Sequence, residues 1–101
     1  MTTSTYNHEA VELSLYIDND STSYQQVRQA FVTIGKHVRR GEYDSVRAVA
    51  FIEAVVGQCA RRYCKEFASP SDRWWTIFDV PTRRAVAEAL VDEYEEQEGL
   101  R

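Results

Sequence analysis

The densest concentration of one chemical type in this chain is acidic. Asp92, Glu93, Glu95, Glu96 and Glu98 place five carboxylates within seven residues. On a helix that stretch covers about 10 Å, or one negative charge per roughly 2 Å. A DNA duplex carries one per ~1.7 Å of its axis. On a helical wheel Asp92, Glu93, Glu95 and Glu96 fall opposite Leu90 and Tyr94, so they are expected to face water together. A strip of this kind attracts a basic nucleic-acid channel on another protein and raises the rate of encounter. Glu88 lies one turn earlier, and Glu9, Glu12, Asp18 and Asp20 form a second acidic group near the other end. If the first and last helices pack side by side, the two groups merge into one negative surface. The competing reading is an ordinary solvated face. Carboxylates near a helix C-terminus are mildly destabilising, so their retention there favours use.

Two aromatic positions could anchor a partner. Trp74 and Trp75 are adjacent, so both cannot face one way. If Trp74 packs inward with Phe78, Trp75 projects beside Arg73 and suits an interface. The alternative is that an irregular helix end buries both. Phe51 poses the same question, on the polar side of its helix near Arg47.

The bases come largely as pairs: Arg39 with Arg40, Arg61 with Arg62, Arg83 with Arg84. Arg47, Arg61 and Lys65 share one side of a helix with Arg62 nearby, and read alone they suit phosphates. The net charge of −4 and the pI near 5.1 oppose direct nucleic-acid binding. They favour guanidinium pairing with the chain's own acids.

Catalytic signatures are missing. There is no Gly-rich phosphate loop, no G-x-S-x-G and no H-E-x-x-H. His8 and His37 fall on different helices with no evident carboxylate or cysteine partner. Asp18-Asn19-Asp20 opens like a calcium loop, but Ser23 stands at its sixth position and Gln29 at its twelfth, without the turn glycine or bidentate glutamate. Cys59 and Cys64 would point roughly 140° apart on a helix, about 7.5 Å along its axis. They are expected to be reduced packing residues, neither a disulfide nor a zinc pair. The expectation is a protein that is no enzyme and holds no metal or cofactor.

Helical spacing runs through almost the whole chain, and strand-like alternation runs through none of it. A first helix is expected from about His8 to Ile17, capped by Asn7, with Val11, Leu15 and Tyr16 inward. It ends in Asp18-Asn19-Asp20-Ser21. A second starts at Ser23, where Gln26 completes a capping box. It carries Tyr24, Val27, Phe31, Ile34 and Val38 in one stripe and stops at Gly41. The third and central helix runs from Ser45 to about Phe67 after Asp44. Its inward face is Val49, Ile52, Val56, Cys59, Tyr63 and Phe67, widened by Val46, Val55 and Ala60. Ser69 and Pro70 then open a short helix bearing Trp74, Ile77 and Phe78. The last begins near Asp79-Val80-Pro81 and runs to about Gln97, burying Val86, Leu90 and Tyr94. With 101 residues and 44% hydrophobic content, these make one all-α domain, a compact bundle of four or five helices. Without a long apolar run or a leader-like N-terminus, it is expected to be soluble, with no membrane role.

Leu13-Ser14-Leu15-Tyr16-Ile17-Asp18-Asn19-Asp20, followed by Tyr24, resembles an opening found in small accessory proteins of phages and other mobile elements. There an aromatic-rich helix ends in Asn-Asp and a tyrosine follows; here Leu and Tyr stand where tryptophan is frequent. The match covers about a fifth of the chain. In size, acidity and helical character the chain is also similar to anti-CRISPR proteins directed at type I effector complexes. That likeness implies a monomeric stoichiometric inhibitor in the cytoplasm of a bacterial host. It would block target DNA recognition by setting an acidic, DNA-mimicking face in the basic groove of a CRISPR effector subunit. The partner-binding residues so implied are Glu88, Asp92, Glu93, Glu95, Glu96, Glu9, Glu12, Asp18, Asp20 and Trp75. Two other readings remain open: a helix-turn-helix regulator using Arg61, Arg62, Arg83 and Arg84, and an oligomerising module joined through Phe51 and Trp75.

Overall fold

A computed structural model describes residues 7–67 and 73–100. Among these the order is α1 (His8–Asn19), α2 (Ser21–Arg39), α3 (Ser45–Phe67), α4 (Trp74–Ile77) and α5 (Val80–Gln97), with no strand. The chain is an all-α bundle, flattened to 44 × 33 × 19 Å. Among the described residues no helix is long and apolar enough to cross a membrane. The expected start of α4 at Ser69 and Pro70 lies outside the described residues.

Capping sets most of the boundaries. The Asn7 carboxamide oxygen accepts the Ala10 N–H at 3.0 Å and starts α1. A single extended residue, Asp20, then separates α1 from α2. Its own N–H bonds back to the Tyr16 carbonyl while its carboxylate accepts the Ser23 N–H at 3.0 Å. The cap of α2 is thus Asp20 and not Ser23, because the carboxylate three residues upstream takes the N–H that a capping box would use. Ser23 is instead fully buried, and its hydroxyl accepts a hydrogen bond from the Arg62 guanidinium at 2.8 Å. Gly41 ends α2 in the left-handed region (φ 71°) that other residues resist. Asp79 caps α5 through the Thr82 N–H at 3.1 Å, with Pro81 in the first turn.

The core forms around α3, which touches each of the other four helices. Ala48, Ile52, Val56, Cys59, Ala60 and Cys64 are its buried residues. Against them pack Leu13 and Ile17 of α1, Val27 and Ile34 of α2, Val86, Ala87 and Val91 of α5, and Phe78. Both cysteines are buried, and neither is in a disulfide. At one end Tyr63 meets Tyr16 and Phe78 edge to face, each at 5.2 Å between centroids. At the other, Phe31 of α2 stacks on Tyr94 of α5 at 4.7 Å.

Four expectations about facing are corrected. In α1 the inward residues are Ala10, Leu13 and Ile17, while Val11 and Leu15 are exposed, Leu15 by 56%. Both sets have helical spacing, and the link through Asp20 selects the first by fixing how α1 is rotated against α2. Tyr24 leans outward beside α5. At the ends of α3, Val46 and Phe67 are exposed, the Phe67 ring edge-on to Tyr16 of α1 at 6.0 Å. Half-burial of Leu90 and Tyr94, with Val91 fully inside, moves the centre of the α5 inner face by one residue.

The α1 register is directly testable. Leu13→Ala opens a cavity and should cost about 2–5 kcal/mol. Leu15→Ala should change stability by less than about 0.5 kcal/mol. Urea unfolding of the two variants checks the assignment; the opposite order would reverse the face of α1.

Candidate functional site

The acidic residues of α5 do not all behave alike. Glu88, Asp92, Glu93 and Glu96 are exposed. Glu88, Asp92 and Glu96 recur every fourth residue and lie along one line of the helix, about 6 Å apart. Glu95, expected among them, is the exception. It is only 7% exposed, and its carboxylate accepts hydrogen bonds from the Tyr43 hydroxyl at 2.5 Å and from the Ser45 hydroxyl. Tyr43 sits in the α2–α3 loop and Ser45 opens α3, so Glu95 fastens both to the end of α5. It turns inward because its position adjoins the buried Val91 one turn earlier, where hydroxyl donors supply what water would have supplied. With Glu95 removed, the outer face carries one charge per roughly 3–4 Å, nearer to one polynucleotide strand (~3.4 Å) than to a duplex.

The second acidic group is divided by the fold. α1 and α5 do pack together, and Asp18 and Glu93 line the same recess of about 250 Å³, which Arg28 of α2 also borders. Glu12 instead accepts from the Tyr63 hydroxyl at 3.1 Å and lies 3.6 Å from His8. Asp20 is committed to its cap; the hydrogen bonds from Ser23 hold its carboxyl below the usual range. Glu9 is half-buried in the first turn of α1. One merged acidic plate is therefore not formed. What exists is the outer stripe of α5, joined to α1 through Asp18 beside Glu93.

Contrary to expectation, both histidines have carboxylate neighbours: His8 has Glu12, and His37 has Glu42 at 3.7 Å. All four side chains are largely exposed. Among the described residues no group of three or more metal-ligating side chains comes together.

The aromatic candidates are placed clearly. Trp75 is 51% exposed, its ring edge-on to Trp74 at 5.9 Å. Trp74 is half-buried, and the Arg83 guanidinium lies 4.8 Å over its ring. Phe51, 42% exposed, sits where two depressions between α2 and α3 adjoin.

The arginines separate. Arg61, Arg83 and Arg84 line one recess with Trp74, whereas Arg62 turns away from it to Ser23. Arg84 donates to Glu53 at 3.0 Å, and Arg47 lies 3.7 Å from Asp44.

No family model, curated protein or solved structure matches the chain.

Sequence reasoning missed the Tyr43–Ser45–Glu95 cluster. Its one signal was a tyrosine and a serine bracketing the α3 cap, Asp44, while the acceptor lay 50 residues away. Tyr43→Phe removes a hydrogen bond to a buried carboxylate and should cost about 1.5–3 kcal/mol. Glu93→Gln should stay within about 0.5 kcal/mol. Chemical denaturation of both variants at neutral pH separates the buried acid from its exposed neighbour.

Burial, then the carboxylate each hydroxyl faces, pushes Tyr43 up to about 12; burial, with Asp20 and Glu66 nearby, does the same to Tyr16. Both native values lie above the ordinary 10.0, so the native form resists ionisation while the unfolded chain does not. Stability from these tyrosines is complete below pH 10 and declines as pH rises from 10 towards about 12. Tyr16→Phe/Tyr43→Phe should flatten that decline in urea midpoints measured across the interval.

Proposed function

We propose that this chain is a non-enzymatic, stoichiometric inhibitor of the anti-CRISPR type. It sets the outer face of α5 into the basic, DNA-reading groove of a type I effector complex. The observation that carries this reading is the stripe of Glu88, Asp92 and Glu96, with Glu93 and Asp18 beside it. Among the described residues, Glu88, Glu93 and Glu96 form no ion pair. The stripe also sits where the helix least favours it. No basic residue occupies the last turn of α5, so the carboxylates face the negative end of the macrodipole. A cationic groove relieves both that repulsion and the mutual repulsion of the acids.

Charge spacing nearer to one strand than to two makes the imitated object a strand of target DNA following a groove. Steering by such a face acts chiefly on the association rate and weakens with salt. Exposed Trp75 belongs to α4, ahead of the opposite end of α5, and lies outside this contact.

The test reverses Asp92, Glu93 and Glu96 to Lys and leaves Glu95 in place. The variant should lose inhibition of target-DNA binding by a purified type I effector complex. Its melting temperature should equal or slightly exceed that of the unaltered chain, because cations suit a helix C-terminus. Inhibition that survives the reversal, or an unaltered chain that never inhibits, overturns the proposal.

A further inference from the structure

The acidic-face reading leaves unused a recess at the other end of α5. Arg61 of α3 and Arg83 and Arg84 of α5 line a depression of about 470 Å³. Ala54 and Gly57 contribute almost no bulk to it, and Trp74 closes one side. The guanidinium of Arg83 is oriented by lying 4.8 Å over the Trp74 ring. That of Arg84 is oriented by its 3.0 Å hydrogen bond to Glu53. Each holding contact engages only part of a five-donor fork, leaving further N–H groups for a ligand. Arg61 is exposed at the rim.

The charges lining the recess are unequal. Its lining holds three guanidiniums and one carboxylate, Glu53. From outside the lining, Asp79 acts on Arg83 from the α5 cap, and Glu88 lies beside Arg84 in the neighbouring depression. Arg83 and Arg84 also occupy the opening of α5, whose first turn holds no acid, so they sit at the positive end of its dipole. Asp79 offsets part of the positive charge gathered there, and a bound anion would offset more. Three forks exceed what the two oxygens of a single carboxylate can accept. A phosphoryl group offers three strong acceptors and a charge of about −1.5 to −2.

We infer that this recess binds a phosphoryl oxyanion, received by Arg61, Arg83 and Arg84, with Trp74 holding Arg83 in position. The ligand is either a small phosphate or one phosphate of a polynucleotide strand. The site shares no residue with the reversal variant above, and the one member of the acidic stripe near it is Glu88, beside Arg84.

Inorganic phosphate titrated into the full chain at constant ionic strength, with chloride as the control, should give a saturable change in tryptophan fluorescence and raise the melting temperature. Arg61→Gln, at an exposed rim position, should weaken binding roughly tenfold or more without lowering stability, as loss of one charge-assisted hydrogen bond requires. Arg83→Gln should weaken it similarly and alter the fluorescence baseline. A short single-stranded oligonucleotide that displaces phosphate at far lower concentration assigns the site to a polynucleotide. Equal potency per phosphate assigns it to a small ligand. A response no different from chloride, affinity unchanged in Arg61→Gln, or displacement by a glutamate-rich peptide as readily as by the oligonucleotide overturns the inference. The Asp92/Glu93/Glu96 reversal should bind phosphate as the unaltered chain does, so failure here is separable from failure of the inhibitor proposal.

Discussion

The structure depends on one constraint: α3 must be covered on several sides at once. It contacts every other helix, and its residues are sized for that. Ala48 and Ala60 let neighbouring backbones approach, Ile52 and Val56 fill the centre, and Cys59 and Cys64 complete the packing as small apolar groups. Burial pushes the Cys59 thiol up, away from the thiolate that reacts. Each surrounding helix has one face committed to α3, and its outer face is what remains for a partner. The exposed stripe of α5 is thus the complement of Val86, Ala87 and Val91.

α5 places its charges against its own dipole at both ends, with arginines in the opening turns and carboxylates towards the close. An isolated helix of this sequence would be disfavoured. It is held by packing against α3, by the Asp79 cap and by the hydrogen bonds that fasten Glu95 to the α2–α3 loop. Those contacts allow the two ends to keep charges that disfavour the isolated helix. The same helix thereby presents an anionic surface at one end and a cationic recess at the other.

Glu95 and its neighbours show where local reading stops. Asp92, Glu93, Glu95 and Glu96 share charge, flanks and helical setting, and the wheel expected them to share water. The helix is buried over an arc wide enough to take in Glu95, because Tyr43 and Ser45 arrive there with hydroxyl donors. A carboxylate enters an interior only where such donors wait. Residue type alone does not show them. Asp20 makes the same point in reverse: grouped with the acids as a surface charge, it is the hinge between α1 and α2.

Alone, the sequence determined the helical class, the cap at Asn7, the stop at Gly41, the start of α5 at Asp79 and the central place of α3. Each follows from periodicity or from groups within a few residues of one another. It also placed most of the exposed acids of α5. Only the tertiary structure decided that Leu13 and not Leu15 enters the core, that Glu95 leaves the acidic face, that Arg62 turns to Ser23 while Arg61 lines a recess with Arg83 and Arg84, and that Asp18 and Glu93 border the same recess. Those outcomes depend on how helices are rotated against one another and on donors that arrive from tens of residues away. Helical spacing admits several rotations. Packing and the pairing of buried polar groups select one.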